Sequence, residues 1–412
     1  MLLAAPVQAK KKDAAGPVIA MSDSFRAAAA SVRAALEAGD LVTAVSRLST
    51  LQPTSDFENY AAAGLRFEAA TRRGDIQAQR VALTDMFKTA SVPPADAPRL
   101  RYMAGLYSFQ VGNYDDAVAQ LNYARTLGYT GIDATMLMAD IQMRRNKPRE
   151  ARPFVDQLLA QYRAAGRPIP AAWYDRAIAL GYQSGDWAAV GALYRERLAA
   201  YPSTGNWRSA IANYLTAPGM NPQVQLDLYR LQAAVGAMAS ERDFQAYASL
   251  AERSGHNAEA KAIIEAGRAA GKLVATQTVT AGLMKTVTPK AAKEIGALPA
   301  LARKATAAGD GSAAAKVADE YFSLSQFPKA VEFYRLALAK GGVDAGRVNS
   351  RLGVALARSG DLANARTSLA QANGEWANVA GFWAVWVDQQ ARQSASSTPP
   401  PVLARTQAVA GS

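Results

Sequence analysis

The single histidine, His256, stands in "RSGHNAEA", and the chain of 412 residues contains no cysteine. These two facts bound the available chemistry. No disulfide framework, thiolate nucleophile or Cys/His zinc site can be assembled. A histidine-based triad has only His256 to use, and the residues around it read as a solvated turn. Carboxylates are plentiful, but all fall on what read as exposed helix faces, and no pair stands apart as a general acid and base. Neither a G-x-x-x-x-G-K-[ST] phosphate loop nor H-E-x-x-H occurs. The sequence therefore offers no catalytic residue, no metal ligands and no cofactor site, and it reads as a non-enzymatic protein.

If chemistry is absent, recognition must come from surfaces, and surfaces are set by elements. Half of the residues are apolar. Ala dominates them, and strand-type runs of Val, Ile and Thr are few, which favours an all-helical protein whose small residues let helices approach closely. The longest apolar stretches fall short of the roughly 18 to 20 residues needed to cross a bilayer, so no membrane span is expected in the mature chain.

Spacing then organises the helices. Residues 111–117 read "VGNYDDA" and residues 359–365 read "SGDLANA". Around Ala117 stand Gly105 twelve residues before, Leu121 four after and Ala124 seven after; around Ala365 stand Gly353, Leu369 and Ala372; around Ala330 stand Ala318, Tyr334 and Ala337. Positions four and seven residues apart share a helix face, so Leu121 and Ala124 line up with Ala117 against the preceding helix. Gly-Asn and Gly-Asp supply the left-handed residue and the cap that end one helix and begin the next. Ala44, Gln79, Ala151, Val190 and Ala260 continue the register more loosely, at intervals of 34 to 39 residues or of 70. Each interval of 70 holds two units. In the first, a helix pair forms about Pro218-Gly219; in the second, "TQTVTAGLMKTV" and "PKAAKEIGALPALARKA" form another about Pro289.

The pattern resembles the tetratricopeptide repeat family, with small residues where two helices cross and an aromatic residue or Leu on the second helix. The resemblance implies an all-α, right-handed α-solenoid of stacked antiparallel helix pairs, about ten units over residues 22–374, since no pair can bury its apolar face alone. A capping helix over 375–393, around "GFWAVWVDQQARQ", would bury Phe382, Trp383 and Trp386 against the last repeat and show Asp388, Gln389, Gln390 and Arg392 to water. The resemblance also implies a groove lined by the first helix of each pair. At the inward offsets the strongest unit offers Arg99, Tyr102, Leu106, Phe109 and Gln110, and the next Met136, Asp140, Met143 and Arg144. Aromatic residues, Met and Arg suit an extended peptide or a partner helix. The expected function is a protein-protein interaction scaffold that supports assembly of an envelope or secretion-related complex.

Charge offers an alternative. The formal net charge is +12. Residues 261–304 carry Lys261, Arg268, Lys272, Lys285, Lys290, Lys293, Arg303 and Lys304 against Glu265 and Glu294. Such a face could bind an anionic polymer, polysaccharide or nucleic acid, as an export or assembly factor. Nucleic acid is the less favoured of these, because aromatics are not interleaved with the basic residues.

The ends differ from the middle. In residues 1–21 an apolar run closes on Val7-Gln8-Ala9, a small-x-Ala pattern, and turns basic at Lys10, Lys11 and Lys12. This reads as the residue of a signal peptide, and thus an exported protein, periplasmic if bacterial; the alternative is a disordered arm on a cytoplasmic one. Residues 394–412 have the Ser/Thr/Pro composition of a disordered tail.

Overall fold

The protein is described from a computed structural model, which places residues 21–397. The Val7-Gln8-Ala9 pattern and residues 398–412 of the tail lie outside the described residues. Among the described residues there are twenty α-helices and no strand. The chain divides at Arg167 into two compact units.

The first unit holds four helix pairs: α1 (Asp23–Glu37) with α2 (Leu41–Ser49), α3 (Asp56–Arg72) with α4 (Ile76–Phe87), α5 (Ala97–Gln110) with α6 (Tyr114–Thr126), and α7 (Ile132–Arg144) with α8 (Pro148–Ala164). The joints form as their residues dictate. Gly39, Gly74 and Gly112 take φ of 74°, 67° and 79°, and Asp40, Asp75 and Asn113 then accept from the backbone N–H of Thr43, Ala78 and Asp116. Ala44, Ala117 and Ala151 are fully buried. A Cβ on Gly105 would stand 2.9 Å from Leu121 Cγ, which is why this crossing needs glycine.

The second unit begins in the same way. It runs α9 (Ala171–Ser184), α10 (Trp187–Ala200), α11 (Thr204–Tyr214), α12 (Pro222–Ala234), α13 (Glu241–Arg253) and α14 (Asn257–Ala269). The pair expected about Pro289 is instead one helix, α15 (Thr278–Ala307), with Pro289 and Pro299 inside it. No left-handed residue occurs there to turn the chain. Val287 and Ala291, on either side of Pro289, are buried, and Thr286 and Thr288 donate to the carbonyls of Gly282 and Met284 in the turn before it. Burial thus carries the helix through a proline that would otherwise break it. The pairs α16 (Ser312–Ser323) with α17 (Phe327–Lys340) and α18 (Ala345–Arg358) with α19 (Leu362–Ala370) follow, and then α20 (Trp376–Ser397). The described chain is nine helix pairs plus α15 and α20.

α20 is more than an end cap. It packs on α18 and α19 and also on α10, and it touches α12 about as lightly as α11 does. Arg195 donates to Asn378 at 2.8 Å, and Trp207 Nε1 donates to Gln389 Oε1 at 3.0 Å. Gln389, expected in water, is 8% exposed and also donates to the carbonyl of Leu198. Phe382 and Trp383 are buried, and Trp386 is half-buried. The second unit is therefore closed on itself, with α20 as the bridge. The helix also continues through Ser397, into the stretch assigned to the tail.

Candidate partner-binding groove

All nine residues of the expected wall lie in the first unit, on α5 and α7, which are neighbours in the stack. Tyr102, Leu106, Phe109, Met136, Asp140 and Met143 are half-buried, and Arg99, Gln110 and Arg144 are exposed. Tyr102, Leu106 and Phe109 rest on the core of Ala117, Leu121, Leu137 and Ile141. Phe109 leans on Tyr114, with ring centroids 5.9 Å apart. Tyr102 stacks on Tyr129 at 4.7 Å and 9°. The Tyr129 hydroxyl donates to Asp133 Oδ2 at 2.7 Å. Burial, with the charge and hydrogen bonding of Asp133 behind it, pushes the Tyr102 hydroxyl up to about 12, so it remains a neutral donor at any physiological pH.

Sequence reasoning missed two members of this constellation, Tyr129 and Asp133. A signal was present for Asp133. It stands eighteen residues before its joint residue Ala151, the offset at which Arg99 precedes Ala117.

The same offsets locate a cavity on the preceding helices. Eighteen, fifteen and eleven residues before Ala44 stand Arg26, Ala29 and Arg33; before Gln79 they are Ala61, Gly64 and Glu68. These six residues, with Phe25, Phe57 and Tyr60, line a cavity of about 360 Å³ between α1 and α3. The positions filled on α5 by Arg99 and Tyr102 are Ala61 and Gly64 on α3, and the missing bulk opens the cavity. A second cavity of about 500 Å³ lies among α6, α7 and α8, lined by Asn122, Tyr129, Met138, Phe154 and Gln157. None of the nine wall residues lines it.

The second unit contains what the sequence concealed. Several charges expected on helix surfaces are interior. Arg351, on α18, is 1% exposed and donates to Asp227 at 3.0 Å, Asp319 at 2.8 Å and Gln223 at 2.7 Å. Arg230, on α12, clasps Glu259 with two bonds of 2.8 and 2.7 Å and reaches Asp227 at 2.6 Å. Tyr247 donates to Glu259, and Tyr334 and Arg347 donate to Asp319. Burial alone would raise the Asp319 pKa, but the charges of Arg351 and Arg347 and the hydrogen bonds from Tyr334 and Arg351 outweigh it and hold the carboxyl at about 2. His256, expected in a solvated turn, is 6% exposed, with Nδ1 3.7 Å from Glu320 Oε1. The carboxylates of this network are each matched to a guanidinium, so they support a fold and not proton transfer.

The basic stretch is divided. Lys261 pairs with Glu265 and Lys290 with Glu252, while Lys285, Lys293, Arg303 and Lys304 are exposed along α15. No cluster of metal-ligating side chains and no helix long and apolar enough to cross a membrane occurs among the described residues.

These features define an all-α protein of stacked helix pairs with a side-chain wall on the first helices of its first unit. No protein-family profile and no curated protein matches the sequence. Among solved structures it is similar to a tetratricopeptide repeat protein from Parabacteroides merdae, with 13% identity, a TM-score of 0.33, and coverage of 73% of this chain and 99% of that one. It is also similar to the TPR2AB domain of yeast Sti1 in its pHSP90 complex, with 16% identity and a TM-score of 0.26, and to PilF of Pseudomonas aeruginosa, with 15% identity and a TM-score of 0.21; coverage is again 73% of this chain and 99% of the other. The fold itself stands on the packing described above.

Proposed function

We propose that the protein is a non-enzymatic scaffold that seats a peptide or helix of a protein partner against the first helices of its first unit. One observation carries this reading: the offsets that place Arg99, Tyr102 and Leu106 on α5 also place Arg26, Ala29, Arg33, Ala61, Gly64 and Glu68 around a cavity of about 360 Å³. A recurring row of half-buried and exposed positions, with a vacancy where small residues replace large ones, can take an apolar anchor of a partner. Flanking Arg26, Arg33 and Glu68 would set its polarity.

The test fills the vacancy. Gly64→Leu adds bulk where a Cβ meets only Met86 Cε, at 3.8 Å, and it raises helix propensity by roughly 0.5–1 kcal/mol. Peptides selected from a random displayed library on the full chain, measured by calorimetry, are expected to lose at least tenfold in affinity to Gly64→Leu and to Phe109→Ala, without a fall in thermal midpoint for the glycine variant. Selected peptides that bind both variants as they bind the wild type would remove the groove as the site.

The finer setting, an exported assembly such as an envelope or secretion complex, is supported by Val7-Gln8-Ala9 followed by three lysines. N-terminal sequencing of the protein from its own cells is expected to begin at Lys10. Retention of residues 1–9 on the mature protein would count against export.

A further inference from the structure

We infer that the second unit holds a binding site for a small apolar carboxylic acid, in the cavity that α20 completes. The cavity has a volume of about 290 Å³ and is walled by α12, α13, α14, α16, α17, α18 and α20. Its floor is the Arg230–Glu259–Tyr247 cluster and its walls are Phe322, Phe327, Val354 and Ile263.

The polar groups on this lining fall into two sets. Arg230, Glu259 and Tyr247 are satisfied by one another and by Asp227. Ser323 donates to the carbonyl of Glu320 at 2.9 Å, and Ser325 is exposed. Two further donors remain unspent. Trp383 is 1% exposed, and its Nε1 is buried with no hydrogen-bond acceptor among the described residues. Buried polar atoms are nearly always paired, so such an orphan points to something that the cavity is built to hold. Arg358 lies against the Phe327 ring, its guanidinium carbon 5.0 Å from the centroid, with no carboxylate within ion-pair distance among the described residues. It is exposed, as is Ala262, and together they mark the mouth.

Apart from the exposed Ser325 hydroxyl, what is unspent is donor only. The lining offers an indole N–H inside, a guanidinium at the mouth and aromatic and aliphatic walls between, with both oxygens of the buried Glu259 carboxylate already occupied. A ligand that completes this set brings an acceptor of negative charge and an apolar body, which is a carboxylate on a short hydrocarbon or aromatic frame. A cation would meet Arg358 and a saturated Glu259, and a neutral hydrocarbon would leave both donors unpaired.

The full chain is titrated with benzoate and with hexanoate, using calorimetry and ligand-observed NMR, with benzamide and 1-hexanol as neutral controls. Binding of at least one acid is expected, tenfold or more tighter than its neutral control. Arg358→Gln at the mouth and Trp383→Phe inside are each expected to weaken it at least fivefold, and Ala262→Trp is expected to block it. Circular dichroism verifies the fold of each variant, and the two substitutions at exposed positions keep the test valid should Trp383→Phe fail to fold. Absence of binding by either acid at millimolar concentration, equal binding of acid and neutral control, or binding indifferent to Arg358→Gln and Ala262→Trp overturns the proposal. The site is independent of the groove in the first unit, so Gly64→Leu is expected to leave it unchanged.

Discussion

Arg351→Met is expected to destabilise the second unit by about 3–5 kcal/mol. Arg351 joins α18 to α12 across 124 residues of sequence through Asp227, and to α16 through Asp319. Its removal leaves two carboxylates in the interior with part of their compensation gone. The cost is that of two buried charges left under-compensated and not of one lost contact, so it exceeds what a surface ion pair would give, about 0–1 kcal/mol. All six tryptophans lie beyond residue 167, which makes selectively excited tryptophan fluorescence a report on this unit alone. Urea unfolding followed in this way should show the full loss, and adding Asp227→Asn and Asp319→Asn should recover part of it, because the stranded charges are then removed as well. A loss under 1 kcal/mol would mean that the network is not a determinant of the fold.

The same carboxylates fix the direction of the pH dependence. The folded Asp319 pKa, at about 2, is below its ordinary value of 3.8. A depressed folded pKa contributes stability that is present above pH 4 and lost as the pH falls toward 2. At 1.36 kcal/mol per unit the contribution is about 2 kcal/mol. The stability difference between the wild type and Asp319→Asn should therefore shrink by about this amount between pH 5 and pH 2.

Phe382→Ala is expected to cost about 3–5 kcal/mol, the range for deleting a fully buried aromatic side chain. Phe382 is 0% exposed and its ring lies 5.3 Å from that of Tyr214, at the end of α11. The location of the damage distinguishes a bridge from a cap. If α20 merely covered the last pair, amide exchange in Phe382→Ala would rise in α18 and α19 only. Because α20 also holds α10 and α11 through Asn378, Phe382 and Gln389 and touches α12, exchange is expected to rise there too, nearly two hundred residues upstream. Protection of α10–α12 at the wild-type level would refute the bridging role.

Much of the fold was legible because the joints are local. Glycine or asparagine in the left-handed region, a capping carboxylate or amide next to it and a small residue three or four positions on are all set within one short stretch. Ala44, Ala117, Ala151, Val190, Ala260, Ala330 and Ala365 are all 0% exposed. Even the weakest position, Gln79, is 5% exposed and turns its amide toward the carbonyl of Ala70 at 3.4 Å. Pro289 misled because a proline signals a break only when the chain has somewhere to turn. The wall on α5 and α7 followed from the same register, and Asp133 lies on it as well; Tyr129 does not, since stacking across a joint is not periodic.

By itself, then, the sequence determined the helices, their joints and the face each pair turns to its neighbour, because those depend on spacings of three, four and seven residues that any helix obeys. Tertiary structure alone decided which charges are interior and where α20 lies. Asp227, Glu259, Asp319 and Arg351 look like any other charged helix residues until the second unit closes and brings them together. Gln389 reads as a solvent-facing amide until Trp207 and the Leu198 carbonyl meet it. The contacts that join them, Arg351 to Asp227 and Asp319, Arg230 to Glu259, and Gln389 to Trp207 and Leu198, lie more than twenty positions apart, where the chain carries no local spacing rule, and only the closure of the second unit selects them.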